Sequence, residues 1–221
     1  MGAPPVLTLE ELRALEARHA NGAMPGLMTR AGRSVAEAAR SLAADTGDTV
    51  LVAAGPGNNG GDAWVAAEEL REGFHRIVVL DAGSGPPRAA EARAARQAFE
   101  ARGGAVAREW PDHAKLALVV DGLFGVGLAR DLDDRFRALV GRINGCAAPV
   151  LAIDVPSGID SSTGRVRGAA VNATRTLTFI AHKLGLHTGE GVDHCGGVEL
   201  DELGAGEEAA RMAHGFLLRP G

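Results

Sequence analysis

The spacing of apolar positions divides the chain into two parts, with the change near residue 49. Thr8 and Glu11 form a capping-box pattern ahead of a polar-faced helix expected to run to about Ala20. Pro25 stands at an expected first helical position, and Leu27, Met28, Ala31, Val35, Ala36, Ala39 and Leu42 then follow at helical spacing. From Thr49 onward, short continuous apolar runs alternate with helical stretches. Thr49 to Ala54 is cut off by glycine and proline and reads as a buried strand. The pattern then predicts a helix from about Gly61 to Gly73, a strand from Arg76 to Asp81 and a helix from Arg88 to Arg102. A strand over Ala117 to Asp121, a helix over Asp131 to Asn144 and a strand over Val150 to Asp154 follow, the last stopped by Pro156. Arg175 to Ala181 and Gly197 to Leu203 read as two further strands, and no closing element is expected after them.

Strands alternating with helices imply a mostly parallel sheet with helices on both faces. The expected class is a Rossmann-like three-layer αβα sandwich with two N-terminal helices, forming one domain over residues 1–221. In such sheets ligands bind beyond the carboxyl ends of the strands, and three strand ends carry unusual loops. Gly55-Pro56-Gly57-Asn58-Asn59-Gly60-Gly61-Asp62 contains GxGxxG, with Asp81 at the next strand end, so it superficially meets the dinucleotide fingerprint. A tight strand-to-helix turn is the plainer reading of the same pattern. A pyrophosphate prefers bare amides at a helix start, and the Asp62 carboxylate would repel it. Two amides and a carboxylate suit a sugar, a polarised ring or a hard cation better. The second loop, Asp121 to Arg130, offers glycine-rich backbone amides and an arginine able to clamp a phosphate, or else a capped turn and a surface arginine. The third, Asp154 to Asp160, presents Asp154 and Ser157 around Pro156, or is an Asx-type turn. Three strand ends converging on one crevice favour a site. Asn59, Asp121 and Ser157 would supply hard oxygen donors suited to an alkali or alkaline-earth cation, and not the thiolates and imidazoles of zinc.

Composition narrows the classes. The net charge is -5 without a basic block, against a general nucleic-acid binder. The two cysteines, Cys146 and Cys195, match no zinc or CxxC spacing and are expected to be free thiols in a reducing compartment. Glu10, Glu11, Arg13 and Glu16 occupy the place of a signal peptide's apolar stretch, and no apolar run approaches the ~20 residues of a membrane span. The expectation is a cytoplasmic protein without a membrane partner. No phosphate loop of the nucleoside-triphosphatase type is present in the sequence.

The run Val52 to Asp62 resembles the GPGNNGGDG signature of the YjeF N-terminal domain family, the NAD(P)H-hydrate epimerases. Asp121 to Leu128 is similar to that family's DALFGTGL loop, Asp154 to Asp160 to its DIPSGLD loop, and Leu27 to Gly32 to its LMENAG helix start. Thr176 to Gly185 is similar to its T-x-TF…K-x-G stretch, so the matches span residues 8 to 203 in order. The sequence departs from the pattern at Ala63, where glycine is usual, and at Thr29-Arg30 in place of Glu-Asn. The resemblance implies an isomerase that interconverts the R and S epimers of hydrated NADH and NADPH by loss and re-addition of the hydroxyl beside the ring nitrogen. It implies Asp154 as the catalytic acid and base, and one potassium ion per subunit at Asn59, Asp121 and Ser157. It also implies substrate contacts from Asn58, Asn59, Gly60, Gly61 and Asp62, from Gly125, Val126, Gly127, Leu128, Ala129, Arg130 and Asp131, and from Asp154. Lys183 is a weaker candidate, since a lone lysine after a strand is usually solvated. A homodimer formed through the N-terminal helices is implied as well, together with a fused or separate ADP- or ATP-dependent NAD(P)H-hydrate dehydratase. The rival readings are a non-catalytic nucleotide-binding or scaffold relative of the same fold and a conventional nicotinamide-dependent oxidoreductase.

Overall fold

The computed structural model describes residues 3–19, 25–43, 48–72, 76–112 and 114–218. In chain order it contains β1 (Pro5–Val6), α1 (Leu9–His19), α2 (Leu27–Leu42), β2 (Thr49–Ala54), α3 (Asn58–Leu70) and β3 (Arg76–Asp81). These are followed by α4 (Ala90–Ala101), β4 (Ala105–Ala107), β5 (Leu116–Gly122), α5 (Asp134–Gly145), β6 (Val150–Ile153) and β7 (Arg175–Phe179). A 3-10 turn at Leu184–Leu186 leads to α6 (Gly191–His194), β8 (Gly197–Asp201), α7 (Gly206–Met212) and β9 (Gly215–Phe216). β2 and β3 have the bounds that the apolar pattern predicts. The expected ends at Ala20 and Gly73 lie outside the described residues.

Seven strands form one sheet in the order β4-β3-β2-β5-β6-β7-β8, every adjacent pair parallel. The chain runs outward from β2 to β4 and then returns to place β5 beside β2, so the direction of winding reverses between those two strands. That reversal opens a crevice at their carboxyl ends. β2 is buried along its whole length, as a central parallel strand covered on both faces must be. Its side chains alternate between the layers. Val50, Val52 and Ala54 join the core beneath α1, α2 and α3, whereas Leu51 and Ala53 join the core beneath α5.

The capping box forms as expected: Thr8 N donates to Glu11 Oε2 at 2.7 Å, and Glu11 N donates to Thr8 Oγ1 at 3.2 Å. Pro25 is not the first helical residue. Gly26 is the N-cap of α2 in an extended conformation, and Met28, Ala31, Val35, Ala36 and Ala39 are buried as the pattern predicts. The chain also has closing elements that the sequence did not reveal. α7 adds Ala209 to the larger core, and β9 pairs antiparallel with β1, setting Phe216 opposite Pro5. Two residues of strand carry no periodicity to detect. Cys146 and Cys195 are free.

Candidate functional site

The crevice begins at the first turn of α3. Gly57, in an extended conformation, is the N-cap, so the helix starts at Asn58, three residues ahead of the expected Gly61. Asn58, Asn59 and Asp62 are therefore helical, and their spacing puts them on one face. All three line a cavity of about 680 Å³, well within the range of small-molecule sites. Gly60 and Gly61 face the protein instead of the cavity. A Cβ on Gly60 would lie 2.0 Å from the Gly55 carbonyl oxygen, and one on Gly61 would lie 2.7 Å from Met28 Sδ. The two glycines let the helix start sit directly on the loop that precedes it. Gly60→Ala must displace backbone and is expected to cost about 1–3 kcal/mol, lowering Tm by about 2–12 °C in a thermal melt. Gly57→Ala meets nothing within 4 Å and is expected to cost less than about 1 kcal/mol.

β5, next to β2, carries Asp121 as its next-to-last residue, fully buried. Ser157 closes onto it from the loop after β6. Its backbone N–H donates to Asp121 Oδ2 at 2.8 Å and its hydroxyl to Oδ1 at 2.6 Å. Leu123 N also donates to Oδ1, at 3.2 Å, and Phe124 N donates to Ser157 Oγ at 2.8 Å. Burial pushes the Asp121 carboxyl up to about 6 in spite of these hydrogen bonds. The third residue, Asn59, reaches across from α3. A Cβ on Gly125 would lie 3.1 Å from Asn59 Oδ1, and Asn59 Nδ2 is buried without a hydrogen-bond partner. Asp121 and Ser157 are thus joined directly, and Asn59 stands beside the β5 loop that Ser157 also contacts. They form an oxygen-rich cluster around a buried carboxylate that no described lysine, arginine or histidine neutralises. Such a set fits a singly charged hard cation. Among the described residues, no three His, Cys, Asp or Glu side chains come together as a metal centre.

Asp154 follows the last residue of β6 with φ +66, a region that aspartate and asparagine enter more readily than most residues. Val155 N donates to Ile153 O at 2.8 Å across it, which makes a γ-turn of the strained, positive-φ type. One strand over, Ile180 repeats the arrangement with φ +68, Ala181 N donating to Phe179 O at 2.7 Å. Asp154 Oδ1 takes three contacts from the far side. The Lys183 ammonium donates to it in a close ion pair, Thr178 Oγ1 donates at 3.3 Å and Phe179 N at 3.4 Å. Lys183 also donates to Thr178 Oγ1 at 2.9 Å and to Phe179 O at 2.7 Å. Oδ2 receives no hydrogen bond from any described residue, and Asp154 lines the cavity.

Lys183 corrects the expectation of a solvated lysine. It is 4 % exposed, because β1 covers its neighbour: His182 N donates to Pro5 O at 2.9 Å and Leu7 N to His182 O at 3.0 Å. The partner that holds it lies 29 residues earlier in the chain, beyond the reach of any local pattern. α1 supplies another wall that the sequence gave no reason to include, with Leu12, Arg13, Glu16 and His19 on the cavity.

From the β5 loop, Gly125, Val126, Gly127, Leu128, Ala129 and Arg130 line the cavity, whereas Asp131 is exposed and stands off it. Asp160 is turned inward to its own loop, accepting from Ser162 N and Thr163 N and pairing with Arg167. Asp81, the residue a dehydrogenase would offer to a ribose, is occupied. Arg96 and Arg108 both pair with its Oδ2, at 2.8 and 2.9 Å, and Gly83 N donates to Oδ1. Those contacts remove the second half of the dinucleotide fingerprint and with it the support for a conventional oxidoreductase.

Comparison with known proteins gives the family and the fold of the chain. Residues 25–185 match the family described as YjeF-related protein N-terminus. A protein of Bordetella pertussis (strain CS) named NAD(P)H-hydrate epimerase is 43% identical over 203 residues, covering 89% of this chain and 86% of that one. An NAD(P)H-hydrate epimerase of Achromobacter xylosoxidans (strain A8) is 42% identical, covering 91% of this chain and 96% of its own. The bifunctional NAD(P)H-hydrate repair enzyme Nnr of Escherichia coli (strain K12) is 38% identical over 80% of this chain, which corresponds to 35% of that protein. Among solved structures, the yeast protein ynu0 shares the fold with a TM-score of 0.69 at 24% identity, covering 86% of this chain and 85% of its own.

Proposed function

Because the chain belongs to the YjeF-related N-terminal family, we propose that it is an isomerase interconverting the R and S epimers of hydrated NADH and NADPH. The observation that carries this reading is Asp154: a carboxylate fixed at a strand end by a buried lysine, with one oxygen unbonded among the described residues, on the wall of a nucleotide-sized cavity. The hydrate is a hemiaminal. Loss of its hydroxyl leaves an iminium ion, and water added to the other face gives the other epimer, with no redox step. Asp154 opposes the developing positive charge and takes a proton from the entering water. The Lys183 ammonium holds the carboxyl in place for both tasks. The substrate is proposed to lie against Asn58, Asn59 and Asp62, against Gly125 to Arg130 and on Asp154, with Arg130 placed for the diphosphate.

A potassium ion belongs to the same reading, held by Asn59, Asp121 and Ser157. There it would neutralise the buried carboxylate and tie together the three loops that form the crevice floor. Binding to the folded state alone raises stability by mass action. At a concentration tenfold above its Kd, potassium is expected to add about 1.4 kcal/mol and to raise Tm by about 3–6 °C over choline chloride of equal ionic strength. Equal melting in the two salts would remove the ion from the proposal.

The direct test of activity mixes the separated R epimer of NADPH hydrate with the protein in potassium buffer and follows both epimers by chromatography. Approach to the equilibrium mixture well ahead of the spontaneous rate is expected, and an unchanged rate would overturn the assignment. The proposal extends to a cytoplasmic homodimer, which sedimentation velocity checks by mass. It also extends to a dehydratase as functional partner, the activity proposed for the remaining length of the bifunctional relatives. Among the described residues no helix is long and apolar enough to cross a membrane.

A further inference from the structure

Asp154 explains the cation and the entering water, and leaves open which group protonates the departing hydroxyl. Four carboxyl groups line the cavity: Glu16 from α1, Asp62 from α3, Glu91 from α4 and Asp154. Of these four carboxyls, Lys183 forms an ion pair with Asp154 alone. Arg13, His19, Arg88 and Arg130 also stand on the wall, and none of them forms an ion pair with Asp62. Asp62 accepts no hydrogen bond and makes no ion pair with any described residue, so its carboxyl is free to act on a ligand. The strand leading to its helix, β2, and the strand leading to Asp154, β6, stand two spacings apart across β5, about 9–10 Å. A nicotinamide-sized ring fits between groups carried by those two strand ends.

We infer that Asp62 is the general acid of the reaction and Asp154 the general base, the two working on opposite faces of the hydrated ring. The inference rests on the epimerase reading above. In the forward step the proton of the Asp62 carboxyl passes to the hydroxyl oxygen and the carbon–oxygen bond breaks. The bonding pair leaves with the oxygen as water. The lone pair of the ring nitrogen forms the C=N bond of the iminium ion. A second water then attacks the carbon from the other face and yields its proton to Asp154 Oδ2. One water leaves and one enters, and one proton has moved from Asp62 to Asp154. The reverse epimerisation runs the same steps backward, and solvent at the cavity mouth resets the pair after product release.

The surroundings suit these roles. Burial, and after it the negative charges of Asp154, Glu16 and Glu91, hold the Asp62 carboxyl well above the usual carboxylate range. Glu16 is raised as well, by burial first and then by Asp154. A like-charged group that keeps its neighbour protonated is one way to set an acid beside a base in a single site. Glu16 is accordingly a positioning residue, acting on Asp62 through its charge.

The test measures kcat and KM for R-epimer conversion against pH in the full-length wild type, Asp62→Asn, Asp62→Glu and Glu16→Gln, each checked for folding by its melt. The expected wild-type kcat falls on the basic side as Asp62 loses its proton. Asp62→Asn should lower kcat by about 10²–10³-fold, leave KM within about threefold and lack that basic limb, while Asp62→Glu restores part of the rate. Glu16→Gln removes a negative charge that holds the proton on Asp62, so the basic limb should move to lower pH. A folded Asp62→Asn with near-wild-type kcat, or a basic limb unmoved by Glu16→Gln, overturns the acid assignment while the wild-type rate preserves the epimerase reading. A wild-type rate no faster than the spontaneous one overturns both.

Discussion

Asp154→Asn is expected to lower kcat for epimer exchange by about 10²–10⁴-fold while leaving the protein folded. The amide matches the carboxylate in shape and tolerates the left-handed backbone at this position. It keeps an oxygen for the Lys183 ammonium, the Thr178 hydroxyl and the Phe179 N–H. It loses the negative charge that opposes the iminium ion and the capacity to accept a proton. Asp154→Ala would confound the experiment, because it adds backbone strain of about 1–2 kcal/mol to the loss of function. Epimer chromatography on the asparagine variant, with a circular dichroism melt alongside, gives the answer. Retention of the wild-type rate would move the chemistry to another residue.

Lys183→Met is expected to give the largest loss of stability. Methionine approximates the volume of the stem but leaves the Asp154 carboxylate with one hydroxyl and one backbone N–H in a site where both partners are buried. Removing one member of a buried pair costs about 3–5 kcal/mol, or about 6–20 °C in Tm. Combining Lys183→Met with Asp154→Asn isolates the coupling. If the pair acts as a unit, the double variant should melt well above the temperature that the two single losses, added together, predict. Strict additivity would mean that the lysine is held by its contacts to Thr178 and Phe179, with the carboxylate a bystander.

The positions of β2 and β3 were legible because a parallel strand in the middle of a sheet must be apolar on both faces, and such a run ends sharply at glycine or proline. The start of α3 was not. Asn-Asn-Gly-Gly is a sequence of weak helix formers, and what makes it helical is tertiary: Gly60 and Gly61 are the residues that fit against Gly55 and Met28. The nearness of Asn59, Asp121 and Ser157 was legible because each stands at or just beyond a strand end, and the sheet order sets β2, β5 and β6 side by side. The burial of Lys183 was not, since it depends on a strand of two residues near the N-terminus and on a carboxylate in a different loop. Asp81 shows the opposite failure. Its place in the sequence suggested a ribose ligand, and two arginines distant in sequence occupy it instead.

The γ-turn at Asp154 also bears on how this site can change over generations. A main chain held at φ +66 accommodates glycine, asparagine and aspartate more easily than most residue types, although Ile180 holds the same turn one strand over. Of those three, glycine brings no side chain and asparagine brings no ionisable group. The backbone therefore limits the alternatives before any selection for catalysis acts, and the remaining choice is a matter of a single atom, oxygen or nitrogen. Drift at this position has little neutral territory to explore. By contrast, α1 offers such freedom, because only a few of its side chains reach the cavity, and changes in the nucleotide accepted would accumulate there first.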